Sequence, residues 1–98
     1  MTKVGERIGA ILSATVDGVK FLGYGVYAGE EVPTEAAGMM GELLREAGVV
    51  NPKLVLDNGD VVYGCECWWG SEARVRKELE GRRVIEASIS EERKVVTR

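Results

Sequence analysis

Two runs rich in β-branched and aromatic residues lie near the start of the chain. Residues 8–16 (IGAILSATV) and 19–28 (VKFLGYGVYA) flank Asp17-Gly18, a pair typical of a two-residue hairpin turn. A helix is the competing interpretation, because several side chains of this region would also share one helical face: Val4, Ile8, Ile11, Leu12 and Thr15. The hairpin is favoured, since Gly5 and Gly9 would weaken a helix.

A helical period begins after Pro33. The side chains that recur at helical spacing form a wide apolar stripe: Ala36, Met39, Met40, Leu43, Leu44 and Ala47. Thr34 is the expected N-terminal cap, and Gly48 is the expected C-terminal stop. Gly38 and Gly41 lower the stability of such a helix, so they indicate that a strand, a second helix or a ligand approaches its backbone closely.

The second half of the chain repeats the pattern of a hairpin followed by a helix. Its elements are expected at residues 53–57 (strand), 61–69 (strand), 71–80 (helix) and 83–90 (strand). Asn58-Gly59 marks the hairpin turn and Gly81 ends the helix, while the charged tail, residues 91–98, is expected to fray. The order β-β-α-β-β-α-β predicts an α+β fold in a single domain, residues 1–98, with a largely antiparallel sheet and both helices on one face.

Composition excludes several classes of chemistry. The 98-residue chain has no histidine and a net charge of −3 at pH 7. Without imidazole there are no Ser-His or Cys-His nucleophile pairs and no His-dependent zinc catalysis, so we expect neither enzymatic activity nor a cofactor. The negative charge does not suit a nucleic-acid partner. The absence of a signal peptide and of an apolar run of ~18 residues predicts no membrane association. Because Cys65 and Cys67 lie two apart and no other cysteine could staple distant segments, the expected location is a reducing cytoplasm.

The segment GCECWWG, residues 64–70, combines two thiols, a carboxylate and two indoles. In a regular strand over residues 61–69, one face would hold Val61, Tyr63, Cys65, Cys67 and Trp69, and the other Val62, Gly64, Glu66 and Trp68. A strand with an indole on each side is expected to be covered on both faces, by a helix and by a ligand or second subunit. Glu66 would then need a cation, for which the candidates are Arg45, Arg74 and Arg83.

The two cysteines permit several interpretations. Cys65 and Cys67 supply only two thiolates, so a zinc site would need a dimer to complete four ligands. A disulfide between strand residues two apart has poor geometry, and no histidine is present to activate a nucleophilic thiol. The favoured interpretation is that both are small buried apolar side chains.

Trp68 and Trp69 precede a helix rich in cations. Arg74, Arg76 and Lys77 are followed by Arg82 and Arg83 in a chain that is otherwise acidic. Indole rings beside guanidinium groups suit a planar, phosphorylated ligand. The predicted ligand-binding set is Trp68, Trp69, Tyr24, Tyr27, Arg74, Asn51, Lys53 and Glu66, in a pocket between the subunits of a homodimer or higher homo-oligomer. The plainer alternative is one core indole, one dimer contact and a solvated helix face.

Three motifs carry a resemblance to known sequences: GYGVY, NPKxxLDNG and GCECWWG. Between Arg7 and Ile89 the chain resembles a group of small proteins from phages and prophages. The resemblance implies a counter-defence role in the host cytoplasm: a compact oligomeric sponge that sequesters a nucleotide-derived immune signal without cleaving it.

Two other functions remain open from the sequence. One is a protein-interaction module that inhibits a host protein, either through the helix face of Gly38 and Gly41 or through acidic hairpin residues: Glu30, Glu31, Asp57 and Asp60. The other is a dimeric metal protein that uses Cys65 and Cys67. Glu66 with Glu72 or Asp60 could form an acid–base pair, but no spacing fixes their separation.

Overall fold

The first two strands form the hairpin that the sequence predicts. The computed structural model describes residues 2–96, and in it β1 (Arg7–Thr15) pairs antiparallel with β2 (Gly18–Glu31). The turn residues are Val16 and Asp17, one position earlier than expected, with Thr15 opposite Gly18. The Thr15 hydroxyl accepts a hydrogen bond from the backbone N–H of Asp17 at 3.2 Å, which stabilises the turn. The helical alternative for this region is therefore wrong.

Strand β2, with 14 residues, is the centre of the sheet. Along one edge β2 pairs with β1. Along the other edge its first part pairs with β6 (Val84–Glu86), which runs parallel to it. Its last part pairs on that same edge with β3 (Asn51–Leu56), which runs antiparallel. Beyond β3 lies β4 (Val61–Tyr63), and beyond β1 lies β5 (Trp68–Ser71). The prediction of an α+β fold with a largely antiparallel sheet is confirmed, but the predicted element order is wrong.

The predicted strand over residues 61–69 is broken. The hairpin at Asn58-Gly59 forms as expected, and the Asn58 side-chain oxygen accepts a hydrogen bond from the backbone N–H of Asp60 at 2.9 Å. After β4 the chain turns at residues 64–67 and crosses to the other edge of the sheet, where Trp68 lies opposite Ile11. The expectation that Cys65, Cys67 and Trp69 share one strand face is therefore wrong, because the period of two does not continue through the turn.

The structure contains three helices within residues 2–96: α1 (Gly38–Ala47), α2 (Glu72–Leu79) and α3 (Ile89–Val96). Helix α1 ends at Gly48, with φ of 67°, as expected. It begins later than expected, and Thr34 does not cap it; the Thr34 hydroxyl lies 3.2 Å from the Tyr63 hydroxyl instead. None of the three helices is long and apolar enough to span a membrane.

The helices lie on both faces of the sheet, which corrects the prediction of a single helical face. On β1, Ile8 and Ala10 point into the larger core with Ile89 of α3, whereas Ile11 points to the opposite face and packs against Val75 of α2. We call these the α3 face and the α2 face. Helix α1 lies beside α3, since the two helices line a common groove.

Helix α3 covers most of the tail that the charge pattern predicts to fray, and residues 97 and 98 of that tail lie outside the described residues. Ile89 is 2% exposed, and the Arg93 guanidinium forms two bonds with the Glu66 carboxylate, at 2.7 and 2.9 Å. Arg93 also donates to the Val61 carbonyl at 2.8 Å, and Glu66 accepts from the Tyr63 N–H at 3.2 Å. The partner of Glu66 is therefore Arg93 rather than Arg45, Arg74 or Arg83, and the hydrogen bond to Glu66 raises the pKa of Arg93.

We expect Gly25→Ala to destabilise the protein by about 1–3 kcal/mol, the usual cost of overpacking. A Cβ on Gly25 would lie 2.2 Å from the Val55 carbonyl oxygen and 2.6 Å from the Leu56 Cα, so strand β3 would have to move. Gly70→Ala is the matched control, because its nearest atoms would be 3.7 Å away or more. Urea denaturation of both variants measures the difference; equal midpoints would contradict the close packing of β2 and β3.

We expect Arg93→Ala to lower the free energy of unfolding by about 2–3 kcal/mol, because it leaves the largely buried Glu66 carboxylate without its cation. The matched variant is Glu66→Gln/Arg93→Ala, in which no charge is left unpaired and part of the loss is recovered. Chemical denaturation of the single and double variants measures this coupling. A single variant within about 0.5 kcal/mol of the wild type would show that the pair does not hold α3.

Candidate functional site

An exposed indole beside a guanidinium is the central feature of the α2 face. Trp68 is 43% exposed, and the Arg74 Cζ lies 5.5 Å from the centroid of its ring. Ser71 caps α2 by accepting a hydrogen bond from the Arg74 N–H at 3.2 Å, so the turn from β5 into α2 places Arg74 over Trp68. Of the predicted ligand-binding residues, these two are in contact as expected.

A second cation–aromatic pair lies on the same face. Tyr24 is opposite Gly9 on β1, packs edge-on against Phe21 at 4.8 Å between ring centroids, and has the Arg76 Cζ 4.8 Å from its ring centroid. Gly9 permits this arrangement, because a Cβ there would lie 2.7 Å from Val75 Cγ1. Two arginines of α2 therefore each cover one aromatic ring of the sheet.

Trp69 and Tyr27 lie on the α3 face, away from Trp68. Their rings stack at a centroid distance of 5.6 Å and an interplanar angle of 7°, and both pack against the larger core. The Tyr27 hydroxyl donates to the Glu30 carboxylate at 2.5 Å, which raises the pKa of Tyr27. Within one subunit this pair supports the core and does not join the Trp68 surface.

The other predicted ligand-binding residues are also separate from Trp68. Asn51 is the first residue of β3 and lies opposite Glu31. Lys53 forms an ion pair with Glu31 at 3.1 Å, which raises the pKa of Lys53, and Glu66 is bonded to Arg93. Two strands, β2 and β1, separate β3 from β5. One subunit therefore does not bring the predicted set together, and a pocket between subunits stays a prediction.

A pocket of about 240 Å³ adjoins Trp68 and adds a residue that sequence reasoning did not select, Arg82. We call it the Trp68 pocket; it is lined by Ile11, Leu12, Ser13, Ala14, Val19, Trp68, Glu78 and Arg82. Its floor is the β1–β2 hairpin, and its wall is formed by the indole and by the end of α2. The feature of the sequence that could have indicated Arg82 is its position shortly after the end of α2, the helix that packs over β1.

The cations around this pocket are not neutralised by ion pairs. Among residues 2–96, four cations of α2 and of the residues that follow it form no salt bridge: Arg74, Lys77, Arg82 and Arg83. The nearby carboxylate of Glu72 is instead bonded to Arg7 at 2.8 Å and to Arg76 at 3.0 Å. Glu78 is the one carboxylate among the pocket's lining residues, so the local charge favours an anion.

Arg7 joins three elements through its guanidinium. It donates to the Asp57 carboxylate at 2.8 and 2.7 Å and to Glu72 at 2.8 Å, which ties β1 to the β3–β4 turn and to α2. These bonds lower the pKa of Asp57 and of Glu72, with Arg76 adding to the effect on Glu72.

The acidic residues suggested for a protein partner also form contacts within the chain: Glu30 with Tyr27, Glu31 with Lys53, Asp57 with Arg7 and Asp60 with Asn58.

The cysteines lie in the turn between β4 and β5. Cys65 is exposed, which corrects the expectation that it is buried, and Cys67 is partly buried; both thiols are free. Burial, followed by the charge of Glu66, raises the pKa of Cys67 to about 12 and raises that of Cys65 as well. Thiols of raised pKa are poor ligands and nucleophiles at neutral pH. Within residues 2–96 no three metal-ligating side chains are grouped to hold an ion.

A larger groove, of about 520 Å³, lies along β2 where both β6 and β3 end. Its polar lining includes Asp57, Asn58, Glu86 and Ser88. Asp57 is paired with Arg7, Glu86 forms no salt bridge within residues 2–96, and the lining contains no cation, so the groove is a poor site for an anion and volume alone does not select the binding site.

We expect the stabilising effect of Arg7 to depend on pH. The pKa values of Asp57 and Glu72 are lower in the folded chain, so their contribution is present above the unfolded values of about 4 and is lost as the pH falls through the folded values. Arg7→Gln should therefore lower the melting temperature most at about pH 7, and progressively less below about pH 4.

Arg83→Gln is the control for this measurement, because it removes the same charge from a residue that forms no salt bridge in the described part of the chain. Differential scanning calorimetry of both variants across this pH range measures the effect. An Arg7→Gln difference that stays constant down to about pH 3 would contradict the ion-pair explanation.

Comparison with known proteins adds no assignment. No protein-family model matches the chain, and neither a curated protein nor a solved structure matches it. Similarity therefore attributes no activity, ligand or partner to this protein, and its function has to be inferred from the chemistry of the surfaces described above.

Proposed function

We propose that this protein is a non-enzymatic binding module for a small anionic ligand with a planar ring, such as a nucleotide, held at the Trp68 pocket. The observation that carries the proposal is the juxtaposition of an exposed indole with two arginines that form no salt bridge with any of residues 2–96. Arg74 lies over the ring, 5.5 Å from its centroid, and Arg82 lines the same pocket as Trp68.

The volume of the pocket suggests which part of such a ligand lies inside it and which part stays at its rim. Its volume of about 240 Å³ is below the ~300 Å³ at which pockets for whole drug-sized ligands begin. A flat ring can stack on Trp68 against the apolar floor, while the anionic groups stay at the rim. There, guanidinium groups bind phosphate oxygens in pairs, and the other free cations add a long-range field.

The residues that line the pocket support binding of the ligand without a chemical reaction. The titratable side chains among the lining residues are Glu78 and Arg82, and the one hydroxyl is that of Ser13. Within residues 2–96 no hydrogen bond joins the Ser13 hydroxyl to Glu78, so this set offers contacts to a ligand without a hydroxyl that is paired with a base for nucleophilic attack. Sequestration of a nucleotide-derived signal, the role implied by the resemblance to phage proteins, would use the same contacts.

We expect isothermal titration calorimetry at low salt to detect binding of one or more members of a panel of linear and cyclic nucleotides. Trp68→Ala and Arg82→Ala should each weaken binding by about tenfold or more, which corresponds to about 1.4 kcal/mol. Arg74→Ala should weaken it similarly, and added salt should reduce the wild-type affinity because the contacts are ionic.

The control is Arg76→Ala, which removes a cation from the same helix, but one that lies over Tyr24 and is paired with Glu72 instead of lying over Trp68. It should bind nearly as the wild type does. The proposal is wrong if Trp68→Ala and Arg82→Ala retain wild-type affinity, or if no nucleotide in the panel binds the wild-type protein. Circular dichroism of each variant separates a loss of binding from a loss of fold.

A further inference from the structure

Helix α1 and the residues after it expose an apolar surface that the fold does not use. Five side chains of this segment are exposed in spite of their apolar character: Met39 (76%), Met40 (61%), Leu43 (54%), Val49 (45%) and Val50 (52%). Single exposed apolar residues are common, but five within residues 39–50, with Met39, Met40 and Leu43 adjacent on the surface of one helix, are typical of an interaction surface. We call this group the α1 patch.

Met39, Met40 and Leu43 of α1 are free to meet a partner because other contacts hold the helix. Gly41 is its buried residue, and a Cβ there would lie 2.4 Å from the Ala36 carbonyl oxygen. Arg45 reinforces this side by donating to the carbonyls of Pro33 and Ala36, at 2.9 and 2.7 Å. The face of Gly41 is therefore turned inward and is not the surface that a partner would meet, whereas Met39 and Leu43 are.

The charged residues around the α1 patch are acidic. Glu35, Glu42 and Glu46 are exposed and form no salt bridge within residues 2–96. Arg45, the only cation in residues 34–50, is directed to backbone carbonyls. A partner that covers the apolar side chains therefore also meets carboxylates that its own cations can neutralise.

A groove beside the α1 patch can receive an anchoring side chain. It lies between α1 and α3, has a volume of about 280 Å³, and is lined by Ala36, Ala37, Met40, Gly41, Cys65, Glu66, Ile89, Glu92 and Arg93. Met40 belongs to both the groove and the patch, so the two are continuous. Energetically dominant contacts in interfaces are commonly side chains inserted into such pockets.

We propose that the α1 patch binds a basic amphipathic segment of another protein. Its apolar side chains would cover Met39 and Leu43, one of them would enter the groove, and its lysines or arginines would pair with Glu42 and Glu46. The flexible methionine side chains can adjust to different apolar partners, as in other helix-binding surfaces. This inference is independent of the proposed ligand function, because the α1 patch and the Trp68 pocket belong to opposite sides of the sheet.

A second copy of this chain fits the α1 patch less well. A symmetric contact would bring the carboxylates of Glu42 and Glu46 close to their own equivalents, with no free cation in the segment to separate them. The cations of α2 could approach instead, but the exposed residues of that helix are polar or small: Ala73, Arg74, Arg76, Lys77 and Glu78. Such a face offers little apolar area to cover Met39 and Leu43.

The test uses two synthetic peptides of about 16 residues, long enough to form a helix on binding. One has leucine at helical spacing and lysine elsewhere; the other has glutamate in place of every lysine. Fluorescence anisotropy with labelled peptides should show that the lysine peptide binds about tenfold or more tightly than the glutamate peptide, because like charges repel at the rim. Salt should weaken the lysine complex.

Variants distinguish this surface from nonspecific attraction. Met39→Ser/Leu43→Ser should weaken lysine-peptide binding by about tenfold or more, and Glu42→Gln/Glu46→Gln should reduce both the affinity and its salt dependence. Val84→Ser is the control, because Val84 is a comparably exposed apolar residue, at 46%, on β6. Its affinity should equal that of the wild type.

Three outcomes would overturn the proposal. The first is equal binding of the lysine and glutamate peptides, and the second is wild-type affinity in Met39→Ser/Leu43→Ser. The third is a wild-type dimer in analytical ultracentrifugation that Met39→Lys/Leu43→Lys converts to a monomer, because a second copy would then occupy the α1 patch.

Discussion

Hydrogen bonding along strand β2 is the constraint on which the other elements depend. It bonds to β1 along one edge and to β6 and then β3 along the other, and its pairing with β1 shifts register twice near Ile11. Such bulges bend a strand and increase its twist, and the other edge of β2 serves two neighbours of opposite direction. Gly25 lets β3 approach, and without that approach the β3–β4 turn would not place Asp57 beside Arg7.

The sequence predicts those parts of the fold that depend on interactions between residues close together in the chain. Both hairpin turns and the end of α1 at Gly48 follow from turn and cap chemistry within a few residues. The break after Tyr63 depends instead on a distant segment: Gly64 packs against Pro52, where a Cβ would lie 2.9 Å from the proline ring, and β1 offers an unpaired edge to residues 68–71. The pairing of Arg93 with Glu66 joins residues 27 positions apart, which no periodicity reveals.

The candidate site was predictable to a similar extent. The contact of Trp68 with Arg74 follows from a strand that runs directly into a capped helix. The grouping of Trp68 with Trp69, Tyr27 and Lys53 does not occur in one subunit, because adjacent strand residues point to opposite faces and because β3 and β5 are not neighbours. The apolar stripe of α1 is visible in the sequence. Its periodicity does not show which side of the helix packs against the rest of the protein, and in the structure that side is the one with Gly41.

The two faces of the sheet differ in charge and in the kind of surface that they expose. The α2 face has cations without ion pairs around a small pocket, whereas α1 has carboxylates around an apolar patch. Each face also contains one of the two tryptophans. Since Trp68 is exposed beside a guanidinium and Trp69 is stacked on Tyr27, the chain has two intrinsic fluorophores in different surroundings. Iodide, an anionic collisional quencher, should reach the first far more readily than the second, so the emission of each indole can report separately on events at its own side of the molecule.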